Sequence, residues 1–370
     1  MRRCLTLLLM LSAETARAAD ASKPNTLTPA EIADGWVQLF DGETTFGWKI
    51  DGEAKVENGE LRIGGERAST VTTTGAFGDF RLRFDHMVET KGDGGLELIV
   101  FGSGPRIRSR DAGREWTDID YTVTHEGNNA ILSLANRSPN VRPSQNRRLN
   151  APNTTSIGLG AAAGDTLRLR NFRIKPLGLD PIFSGKDLTG WKRFTAEEKR
   201  AKSVFTVTPE GWINIKNGPG DLQTEKQWAD FVFQGECISN GKALNSGVFF
   251  RCIPNQYQQG YEYQIHNGFK DNDRTKPSDF GTGAIYRRVP ARKVVPNDHE
   301  WFTMTLIAHG RHISTWVNGY QTVDWTDDRK ENDNARNGCK LGAGPISLQG
   351  HDPTTDLSFR NLRIAELKKN

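Results

Sequence analysis

Gly260-Tyr261-Glu262-Tyr263-Gln264-Ile265-His266-Asn267 alternates strictly between apolar and polar residues. Side chains along a strand point to opposite faces with period two. Tyr261, Tyr263 and Ile265 therefore share one face, which suits a core. Glu262, Gln264 and His266 share the other, a surface bearing an acid, an amide and an imidazole. The preceding segment reads the same way: Val248 and Phe250 fall on one face, Phe249 and Arg251 on the other. That alternation predicts Arg251 on the polar face beside Glu262, where an Arg–Glu pair across neighbouring strands is the plain structural alternative.

Outward from this stretch, the chain reads as short alternating runs separated by turns. His312 to Val317, Asn318-Gly319 and Tyr320 to Trp325 form the clearest hairpin, since Asn-Gly accepts positive φ at both turn positions. Helical periodicity is confined to brief candidates at Thr28-Pro29-Ala30-Glu31-Ile32 and at Thr195 to Ala201. The 370 residues, of which 25% are charged and 36% apolar, suffice for two globular domains.

The two halves open and close alike. Leu39-Phe40-Asp41-Gly42 through Trp48 answers Ile182-Phe183-Ser184-Gly185 through Trp191. Leu169-Arg170-Asn171-Phe172-Arg173-Ile174 answers Phe359-Arg360-Asn361-Leu362-Arg363-Ile364. The expected organisation is an all-β pair of tandem jelly-roll sandwiches, over residues 35–178 and 179–368, with the seam at Gly178-Leu179-Asp180-Pro181.

Residues 1–18 read as a signal peptide. Met1-Arg2-Arg3 is basic, Cys4 to Leu11 is apolar but too short to span a membrane, and Ala16-Arg17-Ala18 is a cleavage signal. Residues 19–34 read as a leader linker. An exported bacterial protein, periplasmic or extracellular and without a transmembrane segment, is the expectation. Loss of Arg2, Arg3, Glu14 and Arg17 takes the formal charge from +4 to +2, too little to imply nucleic acid or an anionic membrane as partner. Cys237, Cys252 and Cys339 allow one bridge at most, and a free buried thiol is the alternative.

Several segments, taken in order, resemble the 3-keto-disaccharide hydrolase family, formerly a domain of unknown function. These are Phe183 to Trp191, Asn245-Ser246-Gly247-Val248-Phe249-Phe250-Arg251, Gly260 to Ile265 and Gly281-Thr282-Gly283-Ala284-Ile285-Tyr286. Trp316-Val317-Asn318-Gly319, Leu348-Gln349-Gly350-His351 and the closing strand complete the set. The resemblance covers nearly all of the second half and only the ends and early strands of the first. It implies a concanavalin A-like fold and cleavage of a glycoside or oligosaccharide oxidised at C3. A non-catalytic, lectin-like carbohydrate-binding protein is the rival.

A C3 ketone acidifies the C2 hydrogen. A base can remove it, the C1 substituent leaves, and water then adds. Such a site needs a base poised near neutral pH, a donor for the enolate oxygen and an acid for the leaving group, or a divalent cation as electrophile. Glu262, His266 and His351 are the catalytic candidates; Arg251, Gln264, Tyr286 and Gln349 the substrate-binding ones. A conventional glycosidase would need two carboxylates, and no second one is evident on the face of Glu262, which favours elimination. Asp271-Asn272-Asp273 with Asp279 resembles an oxygen-rich cation loop but lacks the glycine and final glutamate of an EF-hand. In the first half, Asp120 or Tyr121 falls where Glu262 stands, Ile99 where Arg251 stands, and His125 echoes His266. Arg137 to Asn153 reads as a loop. An accessory or substrate-positioning role is expected of this half.

Overall fold

The structure, a computed structural model, describes residues 23–90, 96–100, 106–107, 115–127, 129–134 and 147–368. The signal-peptide segment, Arg137 and Arg142 lie outside the described residues. Among the described residues no helix is long and apolar enough to cross a membrane.

The chain builds two jelly-roll sandwiches in tandem. Each faces an eight-stranded antiparallel sheet with a five-stranded one, and corresponding sheets share one strand order. The smaller sheet of the first half runs Trp48–Asp51, Ser69–Thr73, Ile157–Ala161, Leu96–Val100, Arg106–Ile107. That of the second runs Trp191–Arg193, Gly220–Thr224, Ser347–Gly350, Ser246–Phe250, Tyr261–Ile265. Period-two burial explains the layers: Phe80–Glu89 alternates buried and half-buried residues along its whole length.

The repeated Arg-Asn in the closing strands has a shared structural purpose. Asn171 and Asn361 adopt φ of 55° and 53°, at a register irregularity in each closing strand. Asp85 accepts from Arg170 and Asn171, and Glu236 accepts from Arg360 and Asn361. Arg170 then stacks on Trp116 and Arg360 on Trp301, each 4.0 Å from the ring centre. Trp301 and its neighbour Trp212 are thus half-buried on a sheet surface, whereas Trp228 is a core residue.

Residues 23–34 are no mere linker. Thr28 caps the short helix Pro29–Ala33 with Glu31 closing a capping box. Asn25 is buried and exchanges two 2.7 Å hydrogen bonds with Asn171. The segment after it ties the two sandwiches together. Gln38 N–H donates to Gly319, Trp316 donates its indole N–H to Gln38, and Arg292 pairs with Asp41. Val232, Ile307 and Trp316 of the second half pack into the first half's core. Arg147–Asn150, expected as loop, is a strand paired with Asn129–Leu134. The three described cysteines are free and buried. The hairpin turn is as expected, with Asn318 and Gly319 at φ of 47° and 75°.

Pairing register corrects the internal comparison. Thr117–Glu126, holding Asp120, Tyr121 and His125, lies in the large sheet beside Phe80–Glu89, as Phe302–His309 lies beside Phe231–Ser239. None of these three residues is therefore a counterpart of Glu262 or His266. Leu98 pairs with Leu159 as Val248 pairs with Leu348, so Ile99 takes the place of Phe249 and Glu97 that of Gly247.

Candidate functional site

The Tyr261–Ile265 strand ends the second five-stranded sheet. Tyr261, Tyr263 and Ile265 enter the core. Glu262 and Gln264 point to the other face, yet both are buried, Glu262 being 4% exposed and Gln264 0%. This face is covered by irregular segments. Residues 281–286 extend the sheet edge: Gly283 N–H donates to Gln264 O, Gln264 N–H to Ala284 O, and Tyr286 N–H to Glu262 O. Gly281 and Gly283 hold φ of 78° and 89°, which a side chain would strain. Residues 253–259 and 331–338 close over the rest.

Between them lies a pocket of about 420 Å³. Glu262, Tyr286, Gln349 and His351 line it together with Arg336, Tyr257, Asn245, Arg200 and Arg287. Arg336 donates from Nη2 to Glu262 Oε2 at 3.2 Å and from Nε to Gln258 O at 2.9 Å. Its guanidinium sits 5.1 Å from the Phe249 ring centre. Burial pushes the Glu262 carboxyl up to about 7, against the pull of Arg336. Room for this carboxyl comes from Gly247, where a Cβ would meet Glu262 Oε1 at 2.8 Å. His351 is half-exposed at the rim, with Nδ1 2.8 Å from Asp352 Oδ2.

A second buried carboxylate shares the face. Asp221 pairs in register with Gln349, one strand over, and is 1% exposed. Its Oδ2 accepts the Gln258 N–H at 2.9 Å. Burial pushes it to about 7 as well, and its charge adds to the rise at Glu262. The absence of a second carboxylate, an argument for elimination, thus does not hold; Asp221 lies beneath Gln258 and outside the pocket lining. Among the described residues no hydrogen-bond partner meets the buried Asp221 Oδ1, Gln349 Oε1 and Gln264 Oε1, which all lie on one sheet face.

The pocket draws Asn245, Glu262, Tyr286, Gln349 and His351 from the segments on which the sequence resemblance rests. A family profile, the 3-keto-alpha-glucoside-1,2-lyase-like domain, matches residues 35–130 and 178–365. The chain belongs to this family. It is carbohydrate-active at the level of class. Comparison with curated proteins returned no match. Among solved structures, two chains from Parabacteroides distasonis, described provisionally as glycosyl hydrolases, are similar. One is 21% identical, covers 52% of this chain and 94% of its own, and has a TM-score of 0.42. The other is 23% identical, covering 52% and 100%, with a TM-score of 0.40. The carbohydrate-binding module CBM66 of Bacillus subtilis is 14% identical, covering 47% and 93%, with a TM-score of 0.34.

Three of the residues nominated from sequence do not line this family member's pocket. Arg251 follows the Ser246–Phe250 strand with φ of 48°, which ends the alternation and turns the side chain away. It is 0% exposed and bound to Asp230 and to the carbonyls of Ala229, Gly310 and Lys340. Gln264 donates to Asp279 O and Oδ2, and Asp279 in turn receives Asn245, so Gln264 acts on the lining at one remove. His266 spends Nδ1 on the Gly268 N–H at 3.3 Å, where the chain turns. The suggested cation loop does not converge: Asp271 pairs with Lys276, Asp273 with Thr275, Asp279 with Gln264 and Asn245. Among the described residues no three His, Cys, Asp or Glu side chains gather as metal ligands.

Arg336 and Asp221 were missed. Asp221-Leu222-Gln223 alternates as Glu262-Tyr263-Gln264 does, a signal the sequence carried. Nothing local marks Arg336, which reaches Glu262 across 74 positions.

Proposed function

We propose that the protein is an exported enzyme cleaving glycosides whose sugar carries a ketone at C3, and that the pocket of the second sandwich is its active site. The observation carrying this reading is the buried Glu262 carboxyl, raised to about 7 and held by Arg336 on the pocket lining. A carboxylate poised there suits removal of the C2 proton at neutral pH. The C2–H electron pair moves into the C3 carbonyl, giving an enolate whose oxygen Arg336 stabilises. The enolate collapses as the C1–O bond breaks. His351, oriented by Asp352, gives the leaving oxygen a proton from Nε2. Water then adds at C1, giving a proton to His351 while Glu262 returns its proton to C2, so that the net change is hydrolysis and both groups are restored. Asp221 shares the sheet face but is covered by Gln258, and among the described residues Glu262 is the carboxylate that lines the pocket, so the two-carboxylate glycosidase scheme fits less well. Tyr286 and Gln349 would bind the sugar, and the first sandwich serves an accessory role.

Incubation with a disaccharide chemically oxidised at C3, following free sugars, tests this. Release by the wild type is expected; release no greater than that of the Glu262→Gln variant would sink the enzyme reading and leave a lectin-like binder.

Gly247→Ala addresses the position of the carboxyl. The added methyl would stand 2.8 Å from Glu262 Oε1 and 2.9 Å from its Cγ, too close for contact, and the resulting shift of the carboxyl is expected to lower kcat/KM by up to about 100-fold. An unchanged kcat/KM would show that this seat is not needed.

A further inference from the structure

The lining of this pocket is strongly cationic for a site taking a neutral sugar. Arg200, Arg287 and Arg336 face it, with Glu262 the one acid among the lining residues. Arg336 is committed to Glu262 and to Gln258. Arg200 lies 4.9 Å over the Tyr257 ring and 3.4 Å from Glu197 on the exposed side. Arg287 is exposed, and no carboxylate stands within ion-pair distance of it among the described residues. It is anchored all the same. Its guanidinium lies 5.4 Å from the Tyr286 ring centre, Tyr286 packs edge-on against Phe280, and the Tyr286 N–H is bonded to Glu262 O. Arg288 beside it donates to Arg336 O; burial and then the charges of Arg329 and Arg336 hold its affinity for a proton down. The local field is positive on this wall.

Sugar hydroxyls are met by amides, hydroxyls and carboxylates. A guanidinium fork without an acid matches a planar carboxylate or a sulfate. We propose that the natural glycoside carries an anionic substituent, a uronate carboxylate or a sulfate, received by Arg287, with Arg200 lining the same pocket; this rests on the reading that the pocket takes a glycoside.

Calorimetric titration of the full chain with a phenyl glucoside, the matching glucuronide and the matching 6-sulfate tests this. One or both anions should bind about 10-fold more tightly than the glucoside at low ionic strength, a preference that fades in about 0.5 M salt as exposed charges are screened. Comparison of the two anions identifies which group is received. In Arg287→Gln the preference should shrink to within about twofold, with the melting temperature unchanged, as befits an exposed side chain. Equal affinity for all three ligands, no binding of any at millimolar concentration, or a preference that survives Arg287→Gln and Arg200→Gln together would overturn the proposal. Because binding is read without turnover, failure to cleave a 3-keto disaccharide would leave this result standing, and a neutral 3-keto substrate cleaved without any anion preference would separate the two readings.

Discussion

Glu262→Gln is expected to lower sugar release from a 3-keto disaccharide by about 10³-fold or more, the scale of a positioned general base, and at the same time to make the protein more stable at alkaline pH. The two effects have one cause. Burial raises the folded-state value of Glu262 to about 7, from 4.5 for the free side chain. Between these values the native state keeps a proton that the unfolded chain has lost. Stability therefore falls as pH rises from about 4.5 to 7, and the loss is complete above that. At about 1.4 kcal/mol per pKa unit the penalty approaches ~3 kcal/mol. The amide variant carries no such penalty. Urea unfolding should give similar stabilities for the two proteins near pH 4.5 and a clear advantage for the variant at pH 8. Wild-type activity should rise through a midpoint near 7. An advantage that does not grow with pH would mean that Glu262 is not held as a buried, hard-to-ionise carboxyl. Asp221, also near 7, steepens the wild-type decline through the same window.

Arg251→Met should act in the opposite way, costing about 3–5 kcal/mol of stability, the scale of removing one partner from a buried ion pair. The side chain is fully buried and makes four hydrogen bonds, one of them to Asp230 at 2.8 Å. Burial alone would disfavour its charge; Asp230 counters that. Without the guanidinium, Asp230 keeps the Gly310 N–H but loses its counter-charge, and three carbonyls lose their donor. The first sandwich meets the same need differently: Asp79 receives both the backbone N–H and Nδ1 of His125. A lower urea midpoint with unchanged slope would report the loss. A variant as stable as the wild type but unable to turn over substrate would restore Arg251 to the active site.

What the sequence determined was what depends on neighbours along the chain. Alternation placed Tyr261, Tyr263 and Ile265 in a core and Glu262 opposite them. The paired openings and closings announced two sandwiches, and Asn318-Gly319 specified its turn by φ alone. The family could be read from the same segments. Alternation fails where the backbone leaves the strand, which is why Arg251, at φ of 48°, and His266, at the turn into Gly268, were misplaced. The tertiary structure decided the rest. Whether the polar face of Tyr261–Ile265 meets water or a covering loop is not a property of that strand. It follows from residues 253–259, 281–286 and 331–338 folding across it. Arg336 reaches Glu262 only through that coverage, Asp221 shares its face only because distant strands pair into one sheet, and burial beneath the loops is what lifts an ordinary carboxyl to about 7. Charge and burial act through space, so the electrostatics of this pocket could be assembled only when the chain was.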